Sequence, residues 1–330
     1  MDPLTHTLTG LALSRAGLKR LSAHATPVLL LAANAPDIDI VTAPWGAVDY
    51  LHYHRYITHA LLAIPVMALL AVLAVRPFAR KPFNWKLTYL VALAGAASHP
   101  LLDWMNAYGI RLFLPFSGKW YALSLWSLPD YWIWGMLLLA AVAPWFSRLV
   151  MSEIGARPGS GRGWAIAALC FLVFYGAGRY ILHERALAVL DARLYDGLTP
   201  LRVAAEPGPL NPFRWRGIVE TGPFYAICEV NLLEEFDPAA GRVLYKPEPD
   251  PRQAAAAAAA RKTEAFRVFL DFSQVPYWRF SEVEQPENGI LVEVVDLRFG
   301  TPARTGFAVR AVVDGAGRVV ESGFSFRGRK

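Results

Sequence analysis

The chain has 330 residues, of which 55% are hydrophobic and only 18% charged. With a mean hydropathy of +0.29 it is too apolar for an ordinary soluble domain, and a membrane protein is the first reading. The net charge of +6 does not point to nucleic acid, because Arg and Lys cluster in short connections between apolar runs, as loop anchors do.

Residues 4–18 and 26–36 are apolar but too short to cross a bilayer, and read as a hairpin of short helices turning at Lys19 and Arg20. Full spans are predicted over 57–75, 87–105, 131–147 and 164–182, about four in all. Loop 76–86 carries Arg76, Arg80, Lys81 and Lys86, and loop 148–163 carries Arg148, Arg157 and Arg162, whereas 106–130 carries only Arg111 and Lys119. The positive-inside rule puts the first two loops in the cytoplasm. Residues 1–185 thus read as an α-helical domain of the cell inner membrane, with several passes. Residues 186–330 read as a β-rich extramembrane domain on the periplasmic side. Its expected strands are 213–221, 224–232, 277–283, 290–299, 307–314 and 319–326, with one helix at 253–270 that contains seven consecutive alanines.

Imidazoles and carboxylates interrupt the apolar half: His6, Asp37 and Asp39, His54 and His59, His99 and Asp103. Ionisable groups at membrane depth are costly, and these supply the nitrogen and oxygen donors that zinc and manganese bind. The topology above brings them to one face. The start of the 57–75 span and the end of 87–105 both point outward, His6 and Asp37/Asp39 reach the same side through the hairpin, and Asp130 begins the next span there. His99 and Asp103, four apart, share a helical face. Taken alone, that pair also reads as a hydrogen bond between helices. Two acids after a short helix are opposed by its dipole, so capping does not account for Asp37 and Asp39. Arg55 reads either as an anion-binding side chain or as an interfacial anchor.

These motifs carry a resemblance. Met-Asp-Pro-Leu-Thr-His6, Pro-Asp37-Ile-Asp39, His54-Arg55-x-x-Thr58-His59 and Ser98-His99-Pro-Leu-Leu-Asp103, followed by Tyr108-Gly109 and Leu114-Pro115-Phe116, resemble the YdjM-like, LexA-regulated family of membrane-bound metal-dependent hydrolases. The chain departs from that family's His-Arg-Gly-x-Thr-His-Ser pattern at Tyr56 and Ala60. In motif order the family is remotely similar to helical zinc phospholipase C and P1-type nucleases, which also use their N-terminal residue and further histidines downstream. Here only Asp130 stands at the corresponding place.

The resemblance implies one or two divalent ions, zinc first, held by His6, Asp37, Asp39, His54, His59, His99, Asp103 and Asp130. It also implies hydrolysis of a phosphoester, with Asp103 or Asp37 orienting water and Arg55 neutralising developing charge. A membrane lipid or lipid-linked substrate, with the β domain as a cap, is the expected partner. Two rival readings are a non-enzymatic transporter of metal or protons and an assembly factor whose β domain binds a partner. No His-Glu-x-x-His is present to support an intramembrane metalloprotease.

Overall fold

The computed structural model describes residues 1–153 and 160–326; Arg157, counted above with the basic loops, lies outside them. Helix α1 (Pro3–Ala16) begins where the Asp2 carboxylate accepts the Thr5 N–H at 3.0 Å and Pro3 fixes the first turn. The chain reverses after Gly17 into α2 (Ala25–Ala32), which is the expected hairpin. A Cβ at Gly10 would meet the Leu29 carbonyl oxygen at 2.8 Å, and one at Gly95 would stand 3.0 Å from Ala32 Cβ. Glycine at these two positions therefore lets α1 and the later helix α5 close tightly on α2.

A long 3-10 segment, Ala35–Trp45, leads to α3 (Ala47–Tyr53), α4 (Ile64–Val75), α5 (Trp85–Trp104), α6 (Tyr131–Glu153) and α7 (Arg162–Asp191). Among the described residues three helical stretches are long and apolar enough to cross a membrane: Leu61–Phe78, Tyr131–Met151 and Arg162–Asp191. They leave Leu69, Leu70, Leu73, Leu139, Val142, Val173, Phe174 and Ile181 exposed, as a lipid-facing surface requires. The fourth expected span is a helix, α5, but it is not one of these three. Thr88, Ser98, His99, Pro100 and Asp103 dilute its apolar run, and Val91, Ala92, Gly95 and Ala96 are buried among its neighbours.

The expected boundary at residue 185 falls inside α7, which runs unbroken to Asp191 and places Ala186 and Leu190 in the core of the first sheet. That sheet is antiparallel, β1 (Arg202–Pro207), β2 (Arg214–Glu220), β3 (Phe224–Asn231) and β4 (Arg242–Tyr245) in sequential order. Helices α8 (Pro251–Arg261) and α9 (Glu264–Phe272) follow. The single helix expected at 253–270 is divided because Thr263 caps a new start, accepting the Phe266 N–H at 3.4 Å. The two helices pack on a second antiparallel sheet of β5 (Pro276–Val283), β6 (Gly289–Asp296), β9 (Phe307–Val313) and β10 (Val319–Phe326), ordered β10-β9-β6-β5. A minimal hairpin, β7 (Gly300–Thr301) and β8 (Arg304–Thr305), lies between. The six strands read from the sequence are present. β1 and β4 were not foreseen, since Ala204-Ala205-Glu206 lacks β-branched residues and β4 spans four residues at a sheet edge.

The C-terminal half docks on the loop after α5. Buried Arg298 pairs with Asp296 at 2.8 Å, donates to the Phe272 carbonyl at 3.2 Å, and reaches the Ala107 carbonyl at 2.8 Å. Arg179, buried in α7, donates to the carbonyls of Leu125 and Pro212 and stacks 4.1 Å from the Trp215 ring. Glu206 on β1 accepts a hydrogen bond from Ser124 at 3.3 Å.

Two predictions follow from this seam. Replacing Arg298 by Met strands the Asp296 carboxylate and should cost about 3–5 kcal/mol, read as a lower Tm and faster proteolytic release of the C-terminal half; unchanged values would show that the seam is held elsewhere. Burial pushes the Glu206 carboxyl up to about 8 from its usual 4.5. Because the native state then keeps a proton that the unfolded chain has lost, Glu206 makes stability fall as pH rises through that interval and level off above it. Glu206→Gln should remove this slope in Tm measured from pH 5 to 9; parallel curves for the two proteins would refute the assignment.

Candidate metal centre

Five segments meet at the start of α4 and the end of α5, the same end of the helical bundle on which the C-terminal half sits. α1 supplies His6, the 3-10 segment supplies Asp37 and Asp39, the turn after α3 supplies His54 and Arg55, a short 3-10 turn supplies His59, and α5 supplies His99 and Asp103. The close approach at Gly10 and Gly95 shows here: the His6 and His99 rings stack with centroids 3.7 Å apart.

Hydrogen-bond partners fix the histidine tautomers. A carbonyl oxygen only accepts, so His99 Nδ1, 2.7 Å from the Ala33 oxygen, carries the proton and Nε2 carries the lone pair. The Thr58 hydroxyl donates its one proton to Asp39 Oδ2 at 3.4 Å and therefore accepts from His59 Nδ1 at 3.1 Å. His59 Nε2 is thus a lone pair as well. The two Nε2 atoms are 3.0 Å apart, Asp37 Oδ1 is 3.5 and 3.4 Å from them, and Asp103 Oδ2 is 3.5 and 3.4 Å from them.

Those are five of the six edges of a tetrahedron of donors. Ligands held about 2.0–2.1 Å from a tetrahedral zinc stand about 3.3 Å from one another, so the spacing fits a cation. The unsatisfied atoms agree with this. Among the described residues, both ring nitrogens of His6 and Oδ2 of Asp103 are buried without a hydrogen-bond partner, a costly state unless something else supplies the charge. The donors also form two overlapping triads, His6–Asp37–His99 and His59–His99–Asp103.

The remaining residues named from the sequence take other places. Asp39 sits behind the focus and accepts the Arg55 backbone N–H at 2.7 Å, with His54 Nδ1 3.2 Å away. It thereby shapes the turn in which Arg55 adopts φ 54°. His54 contacts Asp39 and stacks on Tyr50, 4.7 Å between centroids, and belongs to neither triad. Asp130 also lies outside both triads: it caps α6, accepting the Ile133 N–H at 3.2 Å, the Trp132 N–H at 3.1 Å and the Tyr175 hydroxyl at 3.2 Å. Arg55 is buried, 3.2 Å from Asp103 Oδ1, donates to the Gly109 carbonyl at 2.9 Å, and lies 4.7 Å from the Tyr108 ring centre. Burial lowers the pKa of its guanidinium, and the nearby Asp37 and Asp39 charges act against that.

Several participants were not read from the sequence. The buried Met1 amine pairs with Asp103, brought there because α1 starts at Pro3 with His6 one turn on. Thr58 stood in the motif without an assigned role, and the Ala33 carbonyl and Asn106 had no signal; the Asn106 side chain accepts the Tyr108 N–H at 2.8 Å and holds the loop below Arg55.

Protein purified with zinc should retain bound metal by elemental analysis, and a His59→Ala/His99→Ala variant should retain none. Asp39→Asn should weaken binding by about 10–100-fold, the usual cost of losing a partner behind the ligands, and Asp37→Asn should weaken it more. Stoichiometric metal in the double variant would remove these donors from consideration.

Residues 1–186 match the profile of the YdjM inner membrane protein family, and residues 255–327 match the YfhP C-terminal alpha/beta plait domain. Uncharacterized protein YfhP of Bacillus subtilis (strain 168) is 28% identical over 313 residues, covering 91% of this chain and 87% of that protein. No solved structure matches. With more than half of its length matched, and with apolar helices long enough to cross a bilayer, the chain belongs to the YdjM inner membrane protein family.

Proposed function

We propose that the protein is an integral-membrane, metal-dependent hydrolase of phosphoesters with an apolar portion. The observation that carries this reading is the convergence of four donor atoms, on His59, His99, Asp37 and Asp103, at 3.0–3.5 Å, while the hydrogen-bond partners of both Nδ1 atoms take up the imidazole protons. With the Nδ1 protons so engaged, four lone pairs at this spacing suit a cation better than a shared proton.

His6, Asp37, His59, His99 and Asp103 are the residues that would hold one or two divalent ions, zinc first. Such an ion supplies positive charge that activates water and polarises a phosphoryl oxygen. Asp37 is the one partly exposed member of the donor set, its side chain 24% accessible, so substrate approaches from its side. In this reading the Asp37 carboxylate takes a proton from an attacking water. Arg55 is a fixed cation beside Asp103, oriented by Gly109 and Asn106, and offsets negative charge that develops at the centre.

An apolar substrate is supported by the rim. Ile38, Ile40, Val41 and Trp45 on the segment that bears Asp37, and Ile57 and Leu61 on either side of His59, are exposed. Side chains of this kind around a polar site favour a lipid surface over water. With loop 76–86 cytoplasmic, the centre and the C-terminal domain face the periplasmic side of the inner membrane.

Zinc- or manganese-loaded protein should hydrolyse bis(p-nitrophenyl) phosphate or phospholipid in vesicles. Chelation should abolish the activity, restoring metal should recover it, and Asp37→Asn should lower kcat/KM by about 10²-fold or more. Full metal occupancy with no turnover of either substrate, together with metal flux in proteoliposomes, would replace this reading with transport.

A further inference from the structure

A second cavity lies against the candidate centre. It is a half-open hollow of about 270 Å³, walled by Tyr50, Leu51 and Tyr108 from the helical half and by Phe272, Phe299 and Phe307 from the C-terminal half. Phe272 closes on Tyr108 with 4.7 Å between ring centres, and on Phe299 with 5.8 Å.

Two of these walls are shared with the centre. Tyr50 stacks on His54, which touches Asp39, and the Arg55 guanidinium lies 4.7 Å from the Tyr108 ring. The accessible members of the site are Asp37 and His54, with side chains 24% and 16% exposed. The cavity therefore begins one ring away from the side on which a substrate arrives. Its volume is below the usual range of small-molecule pockets, about 300–1,000 Å³, too small for a whole lipid and large enough for a short alkyl segment.

Building on the phosphoester reading above, we infer that this aromatic cavity binds the first carbons of an alkyl chain attached to the phosphoester, and that the C-terminal domain thereby sets substrate specificity. The charged part stays at the metal donors and Arg55, and the chain leaves past Tyr50 into the seam between the two halves. Three phenylalanines from the C-terminal half, at the end of α9, in the 3-10 turn after β6 and at the start of β9, then have a role that a simple cap would not need. A small aromatic cavity with almost no polar lining rewards each buried methylene and disfavours a headgroup.

The test uses full-length, zinc-loaded protein in lipid nanodiscs, with empty nanodiscs as the blank. Methyl, butyl and hexyl phosphate are titrated calorimetrically, and the matching alkyl p-nitrophenyl phosphates are assayed for hydrolysis. Affinity should rise about 4-fold per methylene and stop rising once the cavity is full. Ala47 also lines the cavity, and Ala47→Trp, which adds volume and removes no contact, should reduce the hexyl-to-methyl affinity ratio to below twofold. Equal affinity for methyl and hexyl phosphate in the wild-type protein overturns the inference whether or not the variant folds. A folded, zinc-retaining Ala47→Trp protein that keeps the full ratio overturns it too. A chain-length effect on binding with no hydrolysis of any ester supports the cavity and refutes the hydrolase reading; hydrolysis with no chain-length effect does the reverse.

Discussion

Lone pairs that face one another without a hydrogen between them repel, and a protein interior offers no water to relieve them. The helical half of this chain is arranged around such a meeting of imidazoles and carboxylates. A neutral imidazole has one proton, and at His99 it is committed to the Ala33 carbonyl, at His59 to the Thr58 hydroxyl. No neutral tautomer can satisfy both the backbone and the opposing carboxylate, and the cation proposed above is what would resolve the conflict. The apolar helices, the close approaches at Gly10 and Gly95 and the buried Arg55 all serve to hold that group of atoms together.

Much of this was legible in the chain, for reasons that differ from residue to residue. His99 and Asp103 announce themselves because they sit four apart in an apolar run, where every ionisable group needs a reason. The positive-inside argument brought His6, Asp37, His59 and His99 to one end before any coordinates, since charge bias between loops reports orientation directly. Sequence could not rank Asp37 over Asp39. Their difference is one of direction along a tight 3-10 segment, and only the backbone shows Asp39 turned back to the Arg55 N–H. Asp130 stands outside both triads, its carboxylate engaged by the N-terminus of α6 and by Tyr175, and the chain alone gave no sign of those partners.

Elements were read less evenly than residues. Period-two β-branched strands were found, whereas the alanine-rich β1 and the short β4 carry too little of that pattern. The alanine run promised one helix, and a single threonine was enough to restart the backbone as two. α5 shows the reverse effect. Its length is that of a membrane span, but its polar side chains belong to the centre and its small residues to neighbouring helices, so hydropathy alone overstates its exposure to lipid.

α7 is one unbroken rod from Arg162 to Asp191, and its last turns are buried in the sheet of β1 to β4. A joint of that kind has no slack. Tilting the rod within the bilayer must swing the sheet of β1 to β4 and, through Arg216, which donates to the Arg298 and Gly300 carbonyls, pull on the segment that carries Phe299. Membrane thickness, one of the influences on such tilts, is thereby coupled to the seam between the two halves.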